Sequence, residues 1–252
     1  MHLYAQTNAQ LFNQLRSEGY SKTEREFVRD VYEFGMTLFS GLFLSSGKLL
    51  MDHLVGTASI LASLRVSIEI VAAGLIHAAY LHGDFGGMRQ GITDAKRKRV
   101  KTVVGDEVEK YVTTYELSPL NWKTLATLQD HLGELSPVER NVLLMRLTNE
   151  LEHELDLGGL YFVHSEKEQK AHQQDIEFYG PIMADLAERL GFRPLSDVMR
   201  AVFANVASTQ IPLEPWLQGP ENAAYLVVPR SCHQRFWVAS YRRLLHTRFF
   251  GR

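Results

Sequence analysis

In the run IVAAGLIHAAYL, residues 70–81, His77 is the only side chain that titrates near neutral pH. A segment apolar on every side belongs in the centre of a fold. A buried imidazole needs a partner: a metal, a carbonyl or a hydroxyl. His77 is therefore either a functional group, catalytic or metal-binding, or a hydrogen-bonded core histidine. His82, Gly83 and Asp84 follow at once. Five residues is not a one-face helical spacing, but a break at Gly83 lets His82 and Asp84 turn back over the helix end. An aspartate beside a histidine fixes its tautomer and raises its basicity, which suits a general base. His77, His82 and Asp84 are the candidate catalytic residues. His82 also reads as a helix C-terminal histidine favoured by the dipole.

The preceding segment, MDHLVGTASILASL, places His53 and Thr57 one turn apart on one face. Further along, RNVLLMRLTNELEHEL carries a stripe of Leu144, Leu147, Leu151 and Leu155 with Asn149 opposite, and His153 one turn beyond. Val142 and Met145 flank that opposite side, so Asn149 is expected to be partly buried and hydrogen-bonded or liganded. Lys48, Thr57, Tyr80, Asn149, Glu150 and His153 are candidate substrate-binding residues. His53 and His77 are candidate metal ligands.

The elements that must position these residues are helical. Proline is scarce up to about residue 205, and no alternating strand pattern of useful length occurs. The periodicity predicts helices near Asn8–Glu18, Lys22–Leu38, Lys48–Leu64, Ile68–Leu81, Asp94–Val103, Asp106–Tyr115, Trp122–Leu132, Pro137–Leu155, Lys167–Leu190 and Leu195–Ala207. Ser136-Pro137-x-Glu139 is a capping serine before an N1 proline. Gly191 is placed to cap a C-terminus. The fold class is all-α, with residues 1–207 as one helical domain. Residues 208–252 read as a Pro-containing wrap, with a short strand over Ala224–Val228, and a basic final helix over Cys232–Phe250 packed on the domain. That helix is a docked amphipathic element or a clamp for an anionic ligand or acidic partner. The run Lys96-Arg97-Lys98-Arg99 with Lys101 is a solvated face or the rim of an anion pocket.

Several of these segments, in this order, resemble the HD-type hydrolase domain of the RelA/SpoT alarmone enzymes. Ser45-Ser46-Gly47-Lys48 through HLVGTASILASL looks like the segment bearing that domain's first metal histidine. AAGLIHAAY is similar to the segment of the His-Asp pair, and VVGDEVEKYV to the helix after it. RNVLLMRLTNELEHEL resembles the helix supplying the last metal aspartate, and IEFYGPIMADLAERLGF a later helix of the domain. The resemblance covers about residues 35–205 and implies an HD-superfamily bundle. It matches His53 and His77 to metal-ligand histidines. It also places Ala78 where the pair's aspartate belongs, Asn149 at the last metal aspartate, Leu81-His82 at the acidic catalytic pair, and Leu44 at a loop arginine. Two imidazoles and an amide have lost the anionic donors that hard cations require, so no standard Mn²⁺ site is expected, with Zn²⁺ or Fe²⁺ as the alternatives.

With 252 residues, 45% hydrophobic and 22% charged, the chain is long enough for a proper core. A formal net charge of -2 argues against general nucleic-acid binding. The single cysteine, Cys232, excludes an intramolecular disulfide and a Cys-based zinc cluster. Its longest apolar run is too short to span a bilayer. Without an apolar leader at the N-terminus, a cytoplasmic location is expected. The functional expectation is an HD-fold enzyme with a remodelled site acting on a small anionic, phosphorylated or nucleotide-like molecule by hydrolysis or acid/base chemistry. The alternative is a non-catalytic HD domain that binds a nucleotide or a protein.

Overall fold

The computed structural model describes residues 4–44, 46, 48–86, 91–118, 122–161 and 165–210. Among them the architecture is all-α, with one isolated bridge, Phe43 to Leu49, as the only extended pairing. The helices are α1 Asn8–Ser17, α2 Lys22–Phe39, α3 Leu50–Ser63, α4 Ile68–Ile76, α5 Ala79–His82, α6 Asp94–Leu117, α7 Trp122–His131, α8 Pro137–Glu154, α9 Gly158–Tyr161, α10 Glu166–Arg189 and α11 Arg193–Ser208. None is long and apolar enough to cross a membrane.

Local chemistry sets the boundaries. Ser136 accepts from the Glu139 amide, and Glu139 accepts in return from the Ser136 amide; Pro137 fills the first turn of α8. The same reciprocal box opens α2 through Ser21 and Glu24. Gly191, at φ 96°, ends α10: its amide donates to the Glu188 carbonyl, and the Phe192 amide to the Ala187 carbonyl.

Three boundaries differ from the periodicity. The two helices expected over 94–103 and 106–115 run on as α6, kinked at Gly105 (φ 82°, ψ 172°). The helix expected from Lys48 begins at Leu50, because the Leu44 amide donates to the Lys48 carbonyl and the Leu50 amide to the Leu42 carbonyl, which holds Lys48 beside residues 42–44. The helix expected over Ile68–Leu81 breaks at His77–Ala78 into α4 and α5. There the His77 ring nitrogen Nδ1 takes the Gly74 carbonyl at 2.8 Å. A side chain that claims a helical carbonyl competes with the backbone ladder, and the axis breaks at that residue.

The core lies around α3, α4 and α8. Residues 70–76 of α4 are all buried, and α4 packs on α2, α3, α6 and α8. Gly74 permits the close approach of α3, since a Cβ there would overlap Leu61 Cδ1. α10 and α11 form an antiparallel pair beside this centre, where Gly180 faces the Phe203 ring. The expected strand and final helix of the 208–252 segment lie outside the described residues.

Candidate functional site

Residues from α3, the α4–α5 break, α6 and α8 converge on a cavity of about 160 Å³. His53, His77, Asn149 and His153 form its polar floor, with Tyr115, Glu116 and Arg146 on one side, and His82 with Leu81 and Leu44 at the opening. The His53 and His77 ring centroids are 5.7 Å apart; His153 stacks on His53 at 4.2 Å, with 27° between the planes.

His53 is held from both sides. Its Nδ1 contacts the Glu152 carboxylate, and its Nε2 lies 2.9 Å from Asn149 Oδ1. The other Glu152 oxygen receives the Lys48 ammonium, which also lies 3.5 Å from Asp156. Glu152 and His53 are fully buried, so the carboxylate exists there only because Lys48 and the imidazole compensate it. Gly56 makes room for it: a Cβ at that position would sit 2.7 Å from Glu152 Cγ.

His77 is oriented by the backbone. With Nδ1–H donating to Gly74, Nε2 is the ring's acceptor nitrogen. Burial pushes its pKa down to about 3, reinforced by nearby His53 and Arg146 and opposed by the Gly74 and Asn149 hydrogen bonds. Burial also holds His153 well below the usual histidine range, with His53 and His77 adding to the shift. Both rings are neutral at physiological pH.

Arg146 completes the wall. Its guanidinium lies 3.6 Å over the Tyr115 ring, and Nη2 donates to the Tyr115 carbonyl at 2.7 Å. Its Nε is buried without a hydrogen-bond partner. A buried donor left unsatisfied costs roughly 1–3 kcal/mol. Burial raises the Tyr115 phenol pKa, partly offset by Arg146.

The cavity gathers His53, His77, His82, Asn149 and His153 of the sequence candidates. Others lie elsewhere. Asp84 does not line it; its Oδ1 accepts from the Gly86 amide at 2.8 Å in a local turn. Thr57 is fully buried and donates to the His53 carbonyl of its own helix at 3.0 Å. Tyr80 turns away: its hydroxyl donates to Glu109 Oε1 at 2.8 Å, in a cluster completed by Thr113 and Arg97. Lys48 acts through Glu152, and Glu150 accepts from Asn149 Nδ2 at 3.4 Å. The basic run does not reach the cavity. Arg97, Lys98 and Lys101 line a separate surface groove on α6, where Arg97 pairs with Glu109 and Lys101 with Asp106.

Sequence reasoning missed Arg146, Glu152, Tyr115 and Glu109. Arg146, Asn149 and His153 share the i, i+3, i+7 spacing of one helix face, so the face bearing Asn149 already pointed to Arg146.

A manganese ion of the kind the resembled hydrolase domain holds does not fit this donor set. It offers two imidazole nitrogens and one amide oxygen, while the nearest buried carboxylate is committed to His53 and Lys48. Arg146 adds a positive charge to the same wall. Among the described residues no three histidines, cysteines or acids are grouped to hold a metal ion. His153 lies face to face with His53, so the two rings are stacked and not pointed at a common centre.

The fold and cavity define an all-α bundle with a histidine-lined pocket at its centre. Residues 41–119 match the family model of a domain of unknown function, DUF6817. The matched stretch carries Lys48, His53, His77, Tyr115 and Glu116 but ends before α8, which supplies Arg146, Asn149, Glu152 and His153. No curated protein matches the chain.

Proposed function

We propose that this chain is an HD-like protein whose histidine cavity binds a small anionic molecule and acts on it by acid/base chemistry or hydrolysis. The observation that carries this reading is the orientation of His77. Its Nδ1–H is committed to Gly74, so the ring lines the cavity with Nε2 as a fixed hydrogen-bond acceptor. His53, held by Glu152 and Lys48, stands beside it as the second polar group. Asn149, its Oδ1 2.9 Å from His53 Nε2, lines the same cavity.

One observation favours a second reading, a non-catalytic domain that binds without turnover. His53 has an oxygen atom against each ring nitrogen, which leaves it no free position toward a substrate.

A turnover screen against phosphomonoesters and nucleoside phosphates, followed by phosphate release, tests the first reading. The unaltered chain should turn over at least one compound, and His77→Gln should lose that activity while its far-ultraviolet circular dichroism is unchanged. Binding without turnover across the panel would favour the second reading. Turnover that survives His77→Gln would remove His77 from the chemistry.

A further inference from the structure

Arg146 is a poor structural residue as it stands. It is a cation on the wall of a small cavity, it has no carboxylate partner among the described residues, and its Nε is a buried donor with nothing to donate to. Its contacts to Tyr115, a ring face and one carbonyl, fix the guanidinium plane but leave that donor unmatched. Arginine presents its donors as a rigid fork suited to an oxyanion.

Two further features limit what the fork can take. The cavity, about 160 Å³, is well below the size of a pocket that encloses a whole nucleotide. Glu116 lines the same space. Its carboxylate repels a second anionic group and accepts a hydrogen bond from a hydroxyl or amino group.

We infer that the cavity receives a single oxyanionic head, a phosphomonoester or a carboxylate, on Arg146, borne by a molecule whose hydroxyl or amino group meets Glu116. A polyphosphate fits this arrangement less well, because its second phosphate meets Glu116. This rests on the reading of the histidine cavity as a small-anion site. It names the substrate class of that site. The body of the ligand leaves past His82, which is exposed at the opening.

Isothermal titration with inorganic phosphate, and separately with inorganic tripolyphosphate, tests the inference without any turnover. The unaltered chain should bind phosphate, and tripolyphosphate more weakly. Arg146→Met should weaken phosphate at least about tenfold, and Arg146→Lys, which keeps the charge but not the fork, should weaken it by a smaller factor. Glu116→Gln should narrow the gap between the two anions. Arg146→Lys also serves as the decisive variant if Arg146→Met fails to fold through loss of its Tyr115 contacts. The inference is overturned if phosphate does not bind, if tripolyphosphate binds more tightly than phosphate, or if Arg146→Lys binds phosphate as the unaltered chain does. None of those results decides the role of His77, which is read by the turnover screen.

Discussion

Asn149 Oδ1 lies 2.9 Å from His53 Nε2, an amide standing against the ring nitrogen where an aspartate would place a negative charge. The neighbouring position after His77 is Ala78, which is 7% exposed and lines the cavity. Neither position carries the negative charge that a hard divalent cation requires. The double variant Ala78→Asp/Asn149→Asp should therefore bind Mn²⁺ at least about tenfold more tightly than the unaltered chain, because carboxylate oxygens are the donors a hard cation selects. Electron paramagnetic resonance of free Mn²⁺ in a titration reads this directly. Equal affinities would mean that the geometry, and not the missing charge, decides metal binding.

Glu152 is the buried hub of the site. Removing it by Glu152→Ala leaves the buried His53 Nδ1 without its partner and the Lys48 ammonium with Asp156 alone, 3.5 Å away. The expected loss is about 3–5 kcal/mol of stability, as for breaking a buried ion pair from one side. Gly56→Ala should cost roughly 1–3 kcal/mol by overpacking, since the new methyl meets Glu152 Cγ and its carboxylate. The two effects share one contact, so they should not add. In the Glu152→Ala background Gly56→Ala should be nearly neutral, measured by urea denaturation of the four proteins of the cycle. Additive costs would show that Gly56 is restricted by something other than Glu152.

The helices were legible because their signals are local. Ser136 with Glu139 and Gly191 mark ends by hydrogen bonds within a few residues, and the α4 segment declares its burial by composition alone. His77 was legible as the one group titrating near neutral pH in the apolar run 70–81. Glu152 was not, because a glutamate one turn from Asn149 on a charged-looking helix end reads as solvated until Lys48 and His53 arrive from a separate part of the chain. Tyr80 and Asp84 were misplaced for a different reason. Extrapolating one helix through residue 81 assumes a straight axis, whereas the axis breaks at His77 and rotates Tyr80 toward Glu109. The side chain that marks the site is also the one that breaks the periodicity used to locate its neighbours.

That rotation makes Tyr80 a structural residue. Tyr80→Phe removes one of the donors that, with Arg97 and Thr113, hold the buried Glu109 carboxylate down at about 2 against the opposing effect of burial. The expected cost is about 1–3 kcal/mol, the range for a hydrogen bond to a charged group. Phosphate affinity should not change, because Tyr80 does not line the cavity. A variant with normal stability and weakened phosphate binding would return Tyr80 to the site.

The pH dependence of stability carries the signature of His77. Its folded pKa, about 3, lies below the ordinary 6.5, with burial as the main cause. Below pH 6.5 the unfolded chain binds a proton that the folded chain excludes, so stability falls as pH falls from about 6.5 toward 3. The slope from this group approaches about 1.4 kcal/mol per pH unit once the unfolded histidine is protonated. His153 acts in the same direction. His172 acts in the opposite one: its hydrogen bond to Glu154, 3.0 Å, raises its pKa, so its contribution is present below the ordinary value and lost as pH rises through the folded value. Glu109 enters only below about pH 4.5, where its carboxylate begins to protonate in the unfolded chain. The window from pH 6.5 to 5 therefore isolates the histidines. His77→Gln keeps a side chain able to donate to Gly74 but carries no titrating proton. Its urea midpoint should vary less steeply across that window than that of the unaltered chain, by up to one proton's worth of slope. An unchanged slope would mean that His77 is protonated as readily in the folded protein as in the unfolded one, and that the cavity is open enough to hydrate an imidazolium.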